Sequence, residues 1–195
     1  MAITTINNRA INRADTAASG QLWTATSATA SDFQAAAAGG KIGQVTTGTN
    51  NGYDTTSNAT SNTDVLSASG TTWETAITPS ATSSKILILP AVYIKQHWAG
   101  GDDARGTVSM WAKIGGGSYA EIDRAYEFGQ YDYGSSGIIM ANFYNPTTLY
   151  TSNTTSAVTI KFAIKAVNTS MSITTTWASG ADAHVSRCTL LEVGA

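Results

Sequence analysis

The sequence predicts an all-β fold, an antiparallel β-sandwich or jelly roll preceded by an extended N-terminal arm. Three observations carry that reading. From residue 71 onward, alternating apolar and polar runs recur with turn signals about every 10 to 20 residues, which is the pattern of about eight or nine short strands. No segment sustains the 3.6-residue period of an amphipathic helix. The 195 residues include 30 Thr and 20 Ser, and Thr, stiff at its branched Cβ, suits a pleated, half-buried surface.

The elements follow in chain order. Residues 1–40 are rich in Ala, Thr and Asn and carry only isolated large apolar residues: Ile3, Ile6, Ile11, Leu22, Trp23 and Phe33. Such sparse pegs bury too little surface to fold alone, so this arm is expected to dock onto something else, with Ile6, Ile11, Trp23 and Phe33 as its attachment residues. Ala35 to Ala38, followed by Gly39-Gly40, reads as the end of a short helix begun near Ser31 or Asp32. Residues 41–70 open with a strand, Lys41 to Thr47, and continue through Ser, Thr and Asn as a surface loop or linker.

Residues 71–195 form the predicted sandwich. Trp73 to Thr78 is closed by Pro79, and Lys85-Ile-Leu-Ile-Leu-Pro-Ala-Val-Tyr-Ile94 is the most apolar run and the central strand, with Pro90 marking a bulge or break. Val108, Met110, Ala112 and Ile114 share one face of the next strand, with Ser109, Trp111 and Lys113 on the other. Gly115-Gly-Gly117 then turns the chain into Tyr119 to Arg124 as a hairpin. Ile138 to Tyr144 ends at Asn145-Pro146. Val158, Ile160, Phe162 and Ile164 point inward against Thr159 and Lys161 outward. Met171, Ile173, Thr175 and Trp177 share a face, and Val185 to Val193 closes the chain.

Composition narrows the function. Only 12% of residues are charged, roughly half the usual share. A surface kept polar by hydroxyls rather than charges suits a protein that sits against copies of itself, because each buried charge needs a partner. The net charge is −2 and the 11 Lys and Arg are scattered, which argues against a nucleic-acid partner. Apolar runs such as Ile86 to Leu89 are too short for membrane insertion. The N-terminus lacks the basic-then-apolar pattern of a signal peptide, so folding in the cytoplasm where the chain is made is expected. A single cysteine, Cys188, excludes an intrachain disulfide and reads as a small core residue.

No catalytic or cofactor-binding motif and no metal-ligand set emerges. His97 and His184 stand far apart with no ligand or base at a telling spacing, and no Gly-x-Ser-x-Gly elbow is present. Glu121, Asp123, Glu127 and Asp132 invite comparison with the paired carboxylates of glycosidases, but Glu121 and Asp123 sit on a short hairpin strand beside Arg124, where surface charge accounts for them. Asp102-Asp103 supplies too few oxygens for a calcium cage. An aromatic cluster runs from Trp98 through Trp111, Tyr119, Tyr126, Phe128 and Tyr131 to Tyr133. Core filling is the expected role of Trp111, whereas Trp98, Tyr126, Tyr131 and Tyr133 are candidates for receptor or intersubunit contact.

Two stretches carry a resemblance. Ile6-Asn-Asn-Arg-Ala-Ile-Asn-Arg-Ala-Asp15, running into Gly20-Gln-Leu-Trp-Thr-Ala-Thr-Ser-Ala-Thr-Ala-Ser-Asp-Phe-Gln34, and Ile77-Thr-Pro-Ser-Ala-Thr-Ser-Ser-Lys-Ile-Leu-Ile88 resemble segments of tail-fibre-like and other virion structural proteins of marine bacteriophages, including cyanophages. The resemblance covers under a quarter of the chain. It implies a virion surface protein, typically trimeric. Together with the low charge, the absence of a catalytic motif and the aromatic cluster, the expectation is a non-enzymatic homo-oligomer whose partners are other virion proteins of the tail or capsid and a host surface glycan. The chain is short for a fibre and has no shaft of repeats or heptads. The readings it leaves open are therefore a fibre or knob module, a capsid decoration (cement) protein, and, from another class, a carbohydrate-binding module or depolymerase.

Overall fold

The computed structural model describes residues 21–25, 31–35, 42–51, 55–98, 104–130, 139–167, 171–175 and 184–194. Every regular element among them is a β-strand. The chain divides into two units, 1–39 and 40–195.

In the first unit, β1 (Gln21–Ala25) pairs antiparallel with β2 (Ser31–Ala35), and Trp23 lies opposite Phe33 in the register. This corrects the helix expected from Ser31 or Asp32. The five-pair ladder with β1 holds this backbone extended, and Ser31–Ala35 is too short for helix propensity to compete. Ala36 to Ala38 lie outside the described residues.

The second unit is a sandwich of two antiparallel sheets. Its strands are β3 (Ile42–Asn50), β4 (Thr55–Ser57), β5 (Thr63–Asp64), β6 (Glu74–Ile77), β7 (Lys85–Trp98), β8 (Ala104–Ile114), β9 (Ala120–Gln130), β10 (Ile139–Tyr144), β11 (Thr148–Thr151), β12 (Val158–Ala166), β13 (Met171–Thr175) and β14 (Ser186–Val193). The first sheet is organised around β7. Its N-terminal half is flanked by β14 and β11, and its C-terminal half by β13 and β10; β3 lies beyond β14, and β4 beyond β13. The second sheet runs from β5 and β6, side by side along one edge of β12, through β12 and β8 to β9.

Alternation places the core between the sheets. Val158, Ile160, Phe162 and Ile164 of β12 and Val108, Met110 and Ala112 of β8 meet Ile86, Ile88, Val92 and Ile94 of β7 and Cys188 and Leu190 of β14. Phe162 is the hinge of this packing, with ring centroids 5.2 Å from Trp73 and 6.4 Å from Tyr144. Pro90 sits inside β7 opposite Cys188 without ending the strand. The β8–β9 hairpin turns at Gly115, whose φ of 54° lies in the left-handed region that glycine tolerates.

Several sequence expectations need adjusting. The Ser/Thr/Asn-rich stretch after β3 supplies β4 and β5, and Val65 within it is fully buried in the core. Trp111, expected to fill the core, is half-buried on the outward face of β8, where its Nε1 donates to Ser109 Oγ at 2.8 Å. Ile114 belongs to the inward set by parity but is half-exposed at the hairpin end. Asp102, Asp103 and Trp177 lie outside the described residues.

Candidate functional site

The sandwich has two outer faces of opposite character. On the second sheet, charges are paired locally. Glu74 accepts from Lys113 Nζ at 3.1 Å and from the Tyr119 hydroxyl, and Lys161 Nζ lies 2.7 Å from both oxygens of Asp64. The Tyr119 ring lies between the two ammonium groups, 4.6 Å from Lys113 and 4.4 Å from Lys161 to its centroid, so cation–π attraction adds to the ion pairs. Partial burial pulls the Glu74 carboxyl upward, but the bonds from Tyr119 and Lys113 outweigh it and hold the group below its ordinary value. Burial, and then the facing Glu74 carboxylate, drive the Tyr119 hydroxyl well above the usual tyrosine range. Elsewhere on this face Thr107, Ser109, Thr159 and Ala163 are buried.

The outer face of the first sheet is apolar. Val45 lies opposite Leu191, Leu191 opposite Leu87, and Leu87 opposite Leu149, so one apolar residue from each of β3, β14, β7 and β11 forms a row across four strands. Val45 is 57% and Leu149 53% exposed. The neighbouring row holds Thr47, Thr189 and Leu89. Further along β7, Tyr93 packs edge-on against the half-exposed Phe143 at 5.5 Å and stacks on His184 at 4.3 Å. The outward positions Val45, Thr47, Lys85, Leu87, Leu89, Arg187, Thr189, Leu191 and Val193 include cations but no carboxylate. Contiguous exposed apolar surface of this kind marks an interaction surface.

The acidic residue nearest that face, Glu192, points the other way and is 2% exposed. Its Oε1 accepts from the Ser80 backbone N–H, Ser80 Oγ and Ser84 Oγ, each at 2.6 Å, and its Oε2 from Gln44 Nε2 at 2.9 Å. The hydroxyls of Ser80 and Ser84 lead in holding this carboxyl down to about 2. With both oxygens engaged and its proton bound so weakly, Glu192 cannot serve as a general acid near neutrality; it clasps β3, the 78–84 loop and β14 together. Cys188 is buried, and burial pushes its thiol up to about 12, slightly offset by the Thr75 hydroxyl.

A cleft of about 320 Å³ opens beside β10, lined by the apolar Ile94, Phe143 and Pro146 and by the polar Asp123, Arg124 and Asn142. Tyr144 also lines it, and the hydroxyl of this 6%-exposed residue has no hydrogen-bond partner within the described residues. Burial, followed by the Asp123 and Glu121 carboxylates, raises this hydroxyl far above its ordinary value, so it stays a neutral donor. The carboxylates have structural partners: Asp123 accepts from Arg124 N at 2.7 Å and Thr148 Oγ1 at 2.9 Å, and Glu121 pairs with the Arg124 guanidinium. Among the described residues, no group of three or more His, Cys, Asp or Glu could hold a metal ion, and no helix is long and apolar enough to cross a membrane.

The residues singled out from sequence are only partly placed. Trp23 and Phe33 come together in the β1–β2 register. Trp98 ends β7, opposite Met171, and Tyr126 lies in β9, so these two belong to different sheets. Ile6, Ile11, Tyr131 and Tyr133 lie outside the described residues, as does Asp132. The row Val45–Leu191–Leu87–Leu149 was missed, though a signal for it exists. Ile86-Leu-Ile-Leu89 and Leu190-Leu191 are continuous apolar runs, the pattern of strands covered on both faces, whereas the structure covers only one.

No family model matches this chain, and no curated protein is similar to it. Among solved structures, the chain is similar to the particle of infectious bursal disease virus with T13 architecture, at 9% identity and a TM-score of 0.38, over 87% of this chain and 35% of that one. It is also similar to the VP2 subviral particle of infectious bursal disease virus, at 8% identity and a TM-score of 0.31, over 87% of this chain and 45% of that one. The chain thus spans less than half the length of the structures it matches.

Proposed function

We propose that this chain is a non-enzymatic structural protein of a bacteriophage particle surface, a fibre- or knob-like module whose sandwich associates with copies of itself while residues 1–40 attach it to other virion proteins. The observation that carries the reading is the apolar row from Val45 to Leu149, an outer sheet face that an isolated subunit leaves in water. Low charge and abundant hydroxyls support it, because copies can meet without stranding unpaired charges. The resemblance of residues 6–34 and 77–88 to marine phage structural proteins supports the particle assignment and a trimeric state. Size-exclusion chromatography with light scattering tests the self-association: an oligomer that weakens on Leu149→Glu is expected, and a monomer for the unaltered chain across micromolar concentrations would overturn it. Locating the subunit in a particle reconstruction separates a tail or vertex appendage from a capsid decoration protein.

A second reading, contact with a host surface glycan, is favoured by the cleft at β10. The exposed amide of Asn142 is suited to sugar hydroxyls, and the apolar Phe143 and Pro146 to the sugar's C–H faces. Glycan-array binding that Asn142→Ala weakens without unfolding the chain is the expected result; an array without binding would remove this reading.

A further inference from the structure

We infer that β3 is an assembly edge, at which two copies of this chain join their first sheets by antiparallel pairing of Ile42–Asn50 with the same strand of a second copy. This inference deepens the self-association reading and rests on it.

An edge strand presents unpaired N–H and C=O groups, and proteins that remain monomeric guard such edges with short strands, bulges, prolines or charges. Most other described edges here are guarded in these ways. β5 has two residues, β4 three, and β6 and β11 four each. β9 is long, but its ladder with β8 is broken by two register shifts, and it carries Glu121, Asp123 and Arg124. β10, with six residues, is followed closely by Pro146. β3 differs from all of these. It spans nine residues, Ile-Gly-Gln-Val-Thr-Thr-Gly-Thr-Asn, with no proline and no charged side chain. Among the described residues its only ladder is with β14, and the one irregularity in that ladder falls at the Ile42 end. On its far side it pairs with no strand among the described residues.

The same features point to a second copy as the occupant. Two copies of an uncharged strand approach without like-charge repulsion, and their lengths match by identity. A two-fold axis perpendicular to the sheet keeps both outer faces on one side and makes the pairing antiparallel, an isologous contact that closes on itself. The apolar row runs to this edge and ends there on Val45, so joining the edges continues Leu149–Leu87–Leu191–Val45 into the partner's row and gives one wide apolar face. The inward side of β3 is held rigid by Gln44, which donates to Thr78 O at 2.5 Å and to Glu192 at 2.9 Å. The edge is therefore presented preformed, with little ordering cost on association.

The test is sedimentation velocity with hydrogen exchange on the full chain and two variants. Thr47→Lys places a charge on the outward side of β3, outside the apolar row, where it borders the partner's strand and, like an edge lysine, opposes pairing. Leu149→Glu alters the far end of the row and leaves the β3 edge untouched. The expected results are slowed exchange of residues 42–50 as concentration drives association, at least tenfold weaker dimerisation for Thr47→Lys, and a retained dimer for Leu149→Glu with its larger assemblies diminished. Association that leaves exchange in 42–50 unchanged, or that Thr47→Lys does not weaken, overturns the edge assignment and leaves self-association standing. A chain monomeric at every concentration overturns both. Circular dichroism of Thr47→Lys confirms the fold, and Thr47→Ser, which adds no charge, should restore dimerisation.

Discussion

Glu192 shows how much one residue contributes when all its lone pairs are used. Four donors from Ser80, Ser84 and Gln44 fix it where β3, the 78–84 loop and β14 meet. Its folded value of about 2 lies below the ordinary 4.5. A depressed carboxyl contributes stability that is fully present above the unfolded value and is lost as pH falls through the folded one. The shift corresponds to about 3 kcal/mol, lost between about pH 4.5 and pH 2. Urea unfolding across that range should show this acid-side loss in the native chain. Glu192→Gln should lack that component and be less stable at neutral pH by about 1–3 kcal/mol, since an amide N–H₂ then faces donors. Cys188, with its thiol pushed up to about 12 by burial, should react with a chromogenic disulfide reagent only as fast as the chain unfolds. The burial of Cys188 was legible in sequence as a core position of its strand, whereas the setting of Glu192 was not. Glu192 reads there as one more polar residue in an alternating strand, because its donors are supplied from residues about 110 to 150 positions away along the chain.

At the scale of elements, legibility followed period and length. β12 and β8 were readable because nine or more residues keep a strict two-residue alternation. The Gly115-Gly-Gly117 turn was readable because a tight hairpin requires positive φ. β4 and β5 were not: strands of three and two residues exist only because β13 and β12 present edges for them. β2 was misread for a related reason, since its extended backbone depends on β1. Close packing of elements also sets hidden limits. Gly48 of β3 crosses β6 so tightly that a Cβ there would lie 2.0 Å from Thr75 Oγ1, whereas a Cβ at Gly116 meets nothing within 4 Å. Gly48→Ala should therefore cost about 1–3 kcal/mol in chemical denaturation, and Gly116→Ala should stay within about 0.5 kcal/mol of the native chain.

At the scale of the molecule, two sheets share one core but differ outside it. Phe162 joins the sheets through Trp73 and Tyr144, and it is 1% exposed. Phe162→Ala should destabilise the 40–195 unit by about 3–5 kcal/mol, measured by equilibrium unfolding. The charged face of the second sheet satisfies itself through Glu74, Lys113, Lys161, Asp64 and Tyr119. The face of the first sheet has no such completion. Continuous apolar runs in β7 and β14 fit strands covered on both faces; the subunit covers one, and the proposed self-association would cover the other.

Alternation, turn glycines and a quarter of the residues being Ser or Thr determined the all-β class, most strand positions and the inward residues of β12, because a strand's two-residue period assigns faces; that Thr159 and Ala163 on its other face are buried too was decided by packing. Tertiary structure alone decided which strands are neighbours, and with them everything that depends on cross-strand register. Val45, Leu87, Leu149 and Leu191 are scattered over about 150 residues of sequence and become one surface only when three ladders align them. Hydrogen-bond pairing between distant segments is a property of the folded sheet, and no local pattern encodes which edge remains open.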